Sequence, residues 1–134
     1  TGPQSFARDA GIEIAPACDT AHLVEALRAC RALVLASTSE GFGIPALEAL
    51  AFGRIPIVVQ DSAPAEVCGD LALTCDAQDE ASIAQAIEVA LRDEDFAKHV
   101  AEHGPAHARR FTAERSARAW HALLTHAGEA ARAP

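Results

Sequence analysis

Apolar and polar positions along this chain switch between two regimes, short solid runs and longer helical stripes. Ala32-Leu33-Val34-Leu35-Ala36 and Ile55-Pro56-Ile57-Val58-Val59 are continuous apolar runs of strand length, the pattern of parallel strands buried on both faces. Pro56 lies near the start of its run, where a strand tolerates it. Gly11-Ile12-Glu13-Ile14-Ala15-Pro16 reads as a further short strand between two breakers, and Leu71-Ala72-Leu73-Thr74-Cys75 as another after Gly69-Asp70. Between the runs the spacing turns helical. Asp19 or Thr20 caps a helix carrying Leu23, Leu27 and Cys30, and a second helix runs from Pro45 to about Phe52, closed by Gly53. A short helix spans Pro64–Cys68, and Asp79 opens one with Ile83, Ile87 and Leu91 on a single stripe. Phe96 and Val100 share a short helix that Gly104-Pro105 is expected to stop. The last helix begins near Thr112 and aligns Ala113, Ala117, Trp120 and Leu124, a stripe whose default reading is core, with a frayed tail beyond Ala127.

Alternating strands and helices predict an α/β fold with a Rossmann-like parallel sheet flanked by helices. Ligands of such sheets bind at the carboxyl ends of the strands, and the Ser37–Ile44 loop occupies such an end. The length of 134 residues amounts to one domain. No apolar run reaches eighteen residues, so no transmembrane helix is expected, and no secretory signal is visible. A net charge of −8 argues against a nucleic-acid surface. Cys18, Cys30, Cys68 and Cys75 form no C-x-x-C pair and no matched spacing with histidine, which reads as free thiols in a reducing, cytoplasmic setting. The chain contains no methionine and opens on Thr1-Gly2-Pro3, as a piece of a longer protein would.

The chemistry concentrates in Ser39-Glu40-Gly41-Phe42-Gly43-Ile44-Pro45-Ala46-Leu47-Glu48. Gly41 and Gly43 allow close backbone approach, and Pro45 suits the first helical turn, where its missing N–H would be unpaired anyway. The exposed amides of a helix start favour phosphate through hydrogen bonding and the helix dipole. Glu48, one turn in, leans back toward the loop, while Glu40 approaches from the other side. Each carboxylate can accept hydrogen bonds from vicinal hydroxyls of a ribose or hexose. Phosphate at one point with hydroxyls on either side describes a nucleotide-sugar. The same residues also fit an ordinary helix start with dipole-favoured acids and a packing glycine. His99, His103 and His107 recur every four residues, but a helix broken at Gly104-Pro105 would leave them solvated rather than metal-binding.

Beyond these residues the chain resembles a known family. Glu40 through Gly53 is similar to the E-x7-E segment of family 4, or group 1, of the retaining glycosyltransferases with the two-Rossmann-domain GT-B fold. Ile55–Val59 resembles that family's P-V-V strand, Pro64–Asp70 its P-E-V-x-G-D turn, and the last two helices, with Phe111 ahead of the final one, its C-terminal end. The likeness covers about Gly11 to Thr125. It implies that residues 1–134 are a partial nucleotide-sugar-binding domain, an incomplete C-terminal half-domain of a GT-B fold. On that resemblance the N-terminal acceptor domain and the first strands of the donor domain are expected to be absent. It further implies that Glu40 faces the donor sugar near the reacting centre and that Phe42, Gly43 and Ile44 offer amides to sugar and diphosphate. Glu48 would hold the ribose hydroxyls, and Pro16, Ala17, Cys18, Asp19 and Thr20 would border the base. Members are generally metal-independent, so no metal or other cofactor is expected beside a UDP-, GDP- or ADP-sugar donor. In the family the last helix passes toward the other domain, which gives Trp120 an alternative partner.

The chain departs from the family at Ala36, where proline is common, at Ser62-Ala63, which replace a glycine pair, and at Ala65, an insertion in the P-E-V turn. The family's glycine-rich turn and Arg/Lys pair, which neutralise the diphosphate, are missing. The chain alone is therefore expected to be inactive, its parent cytoplasmic or peripheral at the membrane, and its open sheet edges prone to self-association. The competing reading is a non-catalytic Rossmann-like binding or assembly module.

Overall fold

A computed structural model of the protein describes residues 11–14 and 19–130, with side chains described through 127. Seven pieces of sequence form the scaffold ahead of the final helices. These are α1 (Thr20–Ala29), β1 (Ala32–Leu35), α2 (Ile44–Ala51), β2 (Ile55–Val59), α3 (Ala63–Cys68), a 3-10 turn (Gly69–Leu71) and β3 (Leu73–Cys75). Helices α4 (Glu80–Arg92), α5 (Glu94–Ala108) and α6 (Ala113–Ala130) follow. The three strands form one parallel sheet in the order β1-β2-β3, with Val34 opposite Ile57 and Val59 opposite Cys75. The fold class is the α/β arrangement that the apolar runs predict.

β2 is central, and its Ile55, Pro56, Ile57 and Val58 are fully buried. β3 pairs with β2 only from Ile57 onward, so the missing N–H of Pro56 leaves no ladder bond to β3 unmade. β1 differs from expectation. Among the described residues its outer edge has no partner, and Val34 is 44% exposed instead of buried on both faces. The expected strand at Gly11–Pro16 is likewise not found, since residues 12–14 carry no regular structure and residues 15 and 16 lie outside the described ones.

Four helices also depart from their predicted faces or ends, α1 among them. α4 turns Ala86 and Ala90 inward, with Ile83 packed beside them, while Leu91 stays 58% exposed and Ile87 faces outward. Small side chains let the helix axis approach the sheet closely, and that shifts the buried stripe by one position. Helix α5 runs through Gly104-Pro105 to Ala108 instead of stopping there. An internal proline forfeits one helical hydrogen bond. Burial of Val100, Gly104 and Ala108 against α2 and its surroundings, at i, i+4 and i+8, keeps the helix continuous. Helix α6 starts at the Thr112 cap, whose hydroxyl accepts from the Arg115 N–H at 3.2 Å. Its Trp120–Leu124 stripe is not core, however: Trp120 is 63% exposed, and no described element covers it.

α1 buries Leu27 alone, although Leu23, Leu27 and Cys30 were the expected stripe. Two cations fasten it instead. Arg54, just before β2, donates from Nε to the Leu27 carbonyl at 3.1 Å and from its terminal nitrogen to the Arg28 carbonyl, satisfying the helix C-terminus. Arg28 in turn lies 5.9 Å over the Phe52 ring. Arg54→Met should retain the apolar stem and cost about 1 kcal/mol in urea unfolding, the worth of a charged hydrogen bond that is half solvated. Arg54→Lys should not restore it, because only the guanidinium fork reaches two carbonyls. Unchanged stability in the methionine variant would show that α1 is held by Leu27 alone.

Cys30, Cys68 and Cys75 are free thiols, and Cys18 lies outside the described residues. Burial pushes the Cys68 thiol up to about 11, so it stays protonated and unreactive near neutrality. Cys75 is raised too, by burial and then by the neighbouring Asp76 charge. Among the described residues, no helix is long and apolar enough to cross a membrane.

Candidate functional site

The Ser37–Ile44 loop leaves the carboxyl end of β1 and enters α2 at Gly43, which adopts φ +83° and ψ +47°. This left-handed turn is what aims the first turn of α2 at the loop. The Gly43 carbonyl accepts from the Ala46 and Leu47 N–H groups at 3.0 and 3.2 Å. Among the described residues, the Gly43 and Ile44 N–H groups have no acceptor, and Pro45 has no N–H to offer. The α2 start therefore has two amides without an acceptor among the described residues, one on exposed Ile44 and one on buried Gly43. Phe42 stands half-exposed beside them, its ring edge-to-face with Phe111 at 5.6 Å.

Glu40 sits half-buried in the loop, with no side-chain partner among the described residues. Glu48, one turn into α2, lines a cleft of about 360 Å³, within the range of small-molecule pockets. One wall is Ile44, Leu47 and Ala51 of α2, and the other is Pro105, Ala108, Arg109, Phe111 and Thr112 from the α5–α6 corner. The lining is apolar apart from one carboxylate, one guanidinium and one hydroxyl. A second depression, about 470 Å³, lies along α4, but its Glu88 and Arg92 neutralise each other in an ion pair at 2.8 Å. The Glu48 cleft is the better-equipped of the two.

Of the residues expected to border a base, Pro16, Ala17 and Cys18 lie outside the described residues. Asp19 is exposed and caps α1, accepting from the His22 N–H at 3.0 Å and lying 2.7 Å from His22 Nδ1. The His22 backbone donor, and then its ring, hold the Asp19 carboxyl below its ordinary value. Thr20 is the exposed first residue of α1. Capping accounts for Asp19 without any ligand.

The cleft's second wall was not legible in the sequence. No motif singles out Arg109, and only the unbroken course of α5 carries it to the wall opposite Glu48. His107 is also misread as a merely solvated ring: its Nε2 lies 2.7 Å from the Val67 carbonyl. His99 and His103 are solvated as expected, their rings 4.6 Å apart. No cluster of three or more metal-capable side chains occurs among the described residues.

A glycine-entered helix start thus stands at the carboxyl end of a parallel strand, with one acid before it and one a turn beyond it. The sequence profile described as "Glycosyl transferases group 1" matches residues 9–107, about three-quarters of the chain. The chain belongs to that family. Sugar transfer is therefore the chemistry its parent fold serves, and the sheet with its flanking helices is a Rossmann-like part of a GT-B glycosyltransferase. Among curated proteins, none matches. The glycosyltransferase match includes both glutamates and the whole loop but ends at His107. Arg109, Phe111 and Thr112 of the cleft lie beyond it.

Proposed function

We propose that this chain is the donor-binding part of a retaining glycosyltransferase that moves a sugar from a nucleoside-diphosphate donor to an acceptor hydroxyl. The observation that carries this reading is the placement of Glu48 in a largely apolar cleft that also takes in Ile44, the first residue of α2, where the Gly43 and Ile44 N–H groups have no acceptor among the described residues. Glu48 accepts from the ribose hydroxyls, and the apolar walls take the nucleoside's carbon surface. The Gly43 and Ile44 amides and the helix dipole meet the diphosphate, stabilising the charge that builds on the leaving group as the glycosidic bond to phosphate breaks. Glu40, in the loop, orients the sugar hydroxyls by the same carboxylate chemistry. Rate acceleration comes from holding the donor and stabilising its leaving group, with no protein nucleophile assigned. The remaining strands and the acceptor domain complete the site, and the β1 edge, unpaired among the described residues, offers self-association as an alternative cover.

Saturation-transfer NMR of this chain with UDP-, GDP- and ADP-sugars tests the reading. One of the three should bind, and Glu48→Ala should weaken it by roughly tenfold or more, the loss of a charged hydrogen-bonding pair. Binding indifferent to Glu48 would move the site away from the cleft. No binding to any donor would favour the non-catalytic module.

A further inference from the structure

One chain of side-chain contacts in this molecule is explained neither by core packing nor by the glutamates. The His107 ring reaches the Val67 carbonyl, near the C-terminus of α3, at 2.7 Å. A carbonyl oxygen only accepts, so Nε2 carries the hydrogen and donates it. The other side of the same ring packs on Phe111 at 5.4 Å between centroids, and Phe111 meets Phe42 edge-to-face at 5.6 Å. Phe42 and Phe111 are 40% and 36% exposed, so neither ring fills the core. The contacts link three stretches distant in sequence: α3, the end of α5 with its turn into α6, and the Ser37–Ile44 loop.

Phe111 also lines the Glu48 cleft. It therefore stands between the two ends of the E-x7-E segment, touching the loop with one side and bordering the carboxylate's cleft. We propose that His107 and Phe111 are positioning residues, a relay anchored on Val67 that sets where Phe42, and with it the loop leading into Gly43, stands relative to the Glu48 cleft. Its consequence for donor binding rests on the function proposed above; the relay itself does not. The loop has no other fastening of this kind: its one side-chain hydrogen bond among the described residues runs internally, from the Ser37 hydroxyl to the Ser39 carbonyl at 3.4 Å. Gly43 is seated on Pro64 at the loop's far end, and the aromatic pair is a large share of what holds Phe42 ahead of it.

His107→Leu removes the donor at a ring that does not touch Phe42, and His107→Gln keeps an amide N–H for Val67. In the ligand-free chain, His107→Leu should shift the Phe42 ring and Gly43 amide NMR signals, and His107→Gln should leave them near wild type. Phe111→Leu should weaken donor-sugar binding by roughly three- to tenfold, the fold-change an aromatic pair's contribution converts to. The double variant His107→Leu with Phe111→Leu should lose little more than Phe111→Leu alone, because the two act through one contact path. Unmoved Phe42 and Gly43 signals in a folded His107→Leu chain would overturn the relay, and so would fully additive losses. If no donor binds the wild type, the ligand-free shifts still decide the relay, and only the functional reading falls. If His107→Leu fails to fold, Phe111→Leu decides it: unmoved Gly43 amide signals there overturn the relay as well.

Discussion

Gly43→Ala is expected to unfold the entry to α2 and abolish whatever the loop binds. Two independent costs meet at this residue. Its φ of +83° is a conformation in which an L side chain loses roughly 1–2 kcal/mol. A Cβ there would also lie 2.6 Å from Pro64 Cγ and 2.7 Å from Pro64 Cβ. Pro64 cannot step aside, because its ring is rigid, fully buried and built into the first turn of α3. Overpacking of this kind costs about 1–3 kcal/mol more. The sum of about 2–5 kcal/mol is a large fraction of the stability of an ordinary domain. Thermal unfolding should therefore shift down by roughly ten degrees. Relieving the clash with Pro64→Ala should return only part of it, since the backbone strain remains. A Gly43→Ala chain with native melting temperature and native donor binding would remove the basis for the loop geometry described here.

Gly104→Ala should also destabilise, by about 2 kcal/mol, although helix propensity predicts the opposite sign. In a solvated helix interior the same change gains about 1 kcal/mol. Here the added Cβ would sit 2.8 Å from the Leu50 carbonyl oxygen and 3.4 Å from its Cδ2. The atom it strikes belongs to the backbone of α2 and already accepts the Gly53 N–H at 2.9 Å, so it has nowhere to rotate. Helix α5 must back away, and the close packing that carries it past Pro105 is lost. Gly41→Ala is the matched control: nothing lies within 4 Å of its Cβ position and its φ is not left-handed. That variant should stay within about 0.5 kcal/mol of wild type. Denaturant unfolding of the pair separates the two explanations. Equal stability of both would mean that the α2–α5 interface is looser than its geometry implies.

The same interface explains where sequence reading succeeded and where it failed. A strand such as Ile55–Val59 announces itself because five consecutive apolar residues have no solvated alternative. Asp19 and Asp79 announce helix starts because capping is a local hydrogen bond between neighbours in sequence, and Ser62 and Asp93 prove to cap their helices in the same way. The stop expected at Gly104-Pro105 was a local argument too, and a correct one for an isolated helix. It was overruled by Leu50, a residue more than fifty positions away. The stripe on α4 failed similarly: Ile87 and Leu91 are the more hydrophobic choice, but Ala86 and Ala90 are the ones that fit. Trp120 failed for a third reason. An apolar stripe shows that a surface wants covering without showing that this chain covers it.

For the candidate site the division is similar. Glu40, Phe42, Gly43, Ile44 and Glu48 were legible because one loop and one helix turn hold them, and the helix period fixes their relative directions. Arg109, Phe111, Thr112 and the His107–Val67 bond were not, because α5 had to be continuous before any of them could come near the loop. The sequence by itself determined the alternation of strands and helices, the caps, the glycine-entered turn into α2 and the spacing of the two acids. All of these follow from interactions within a few residues. The tertiary structure alone decided which face of each helix is buried, and that the far wall of the Glu48 cleft comes from the α5–α6 corner. Those outcomes depend on which surfaces can approach closely enough to pack, a property of pairs of distant segments that no single stretch of chain carries.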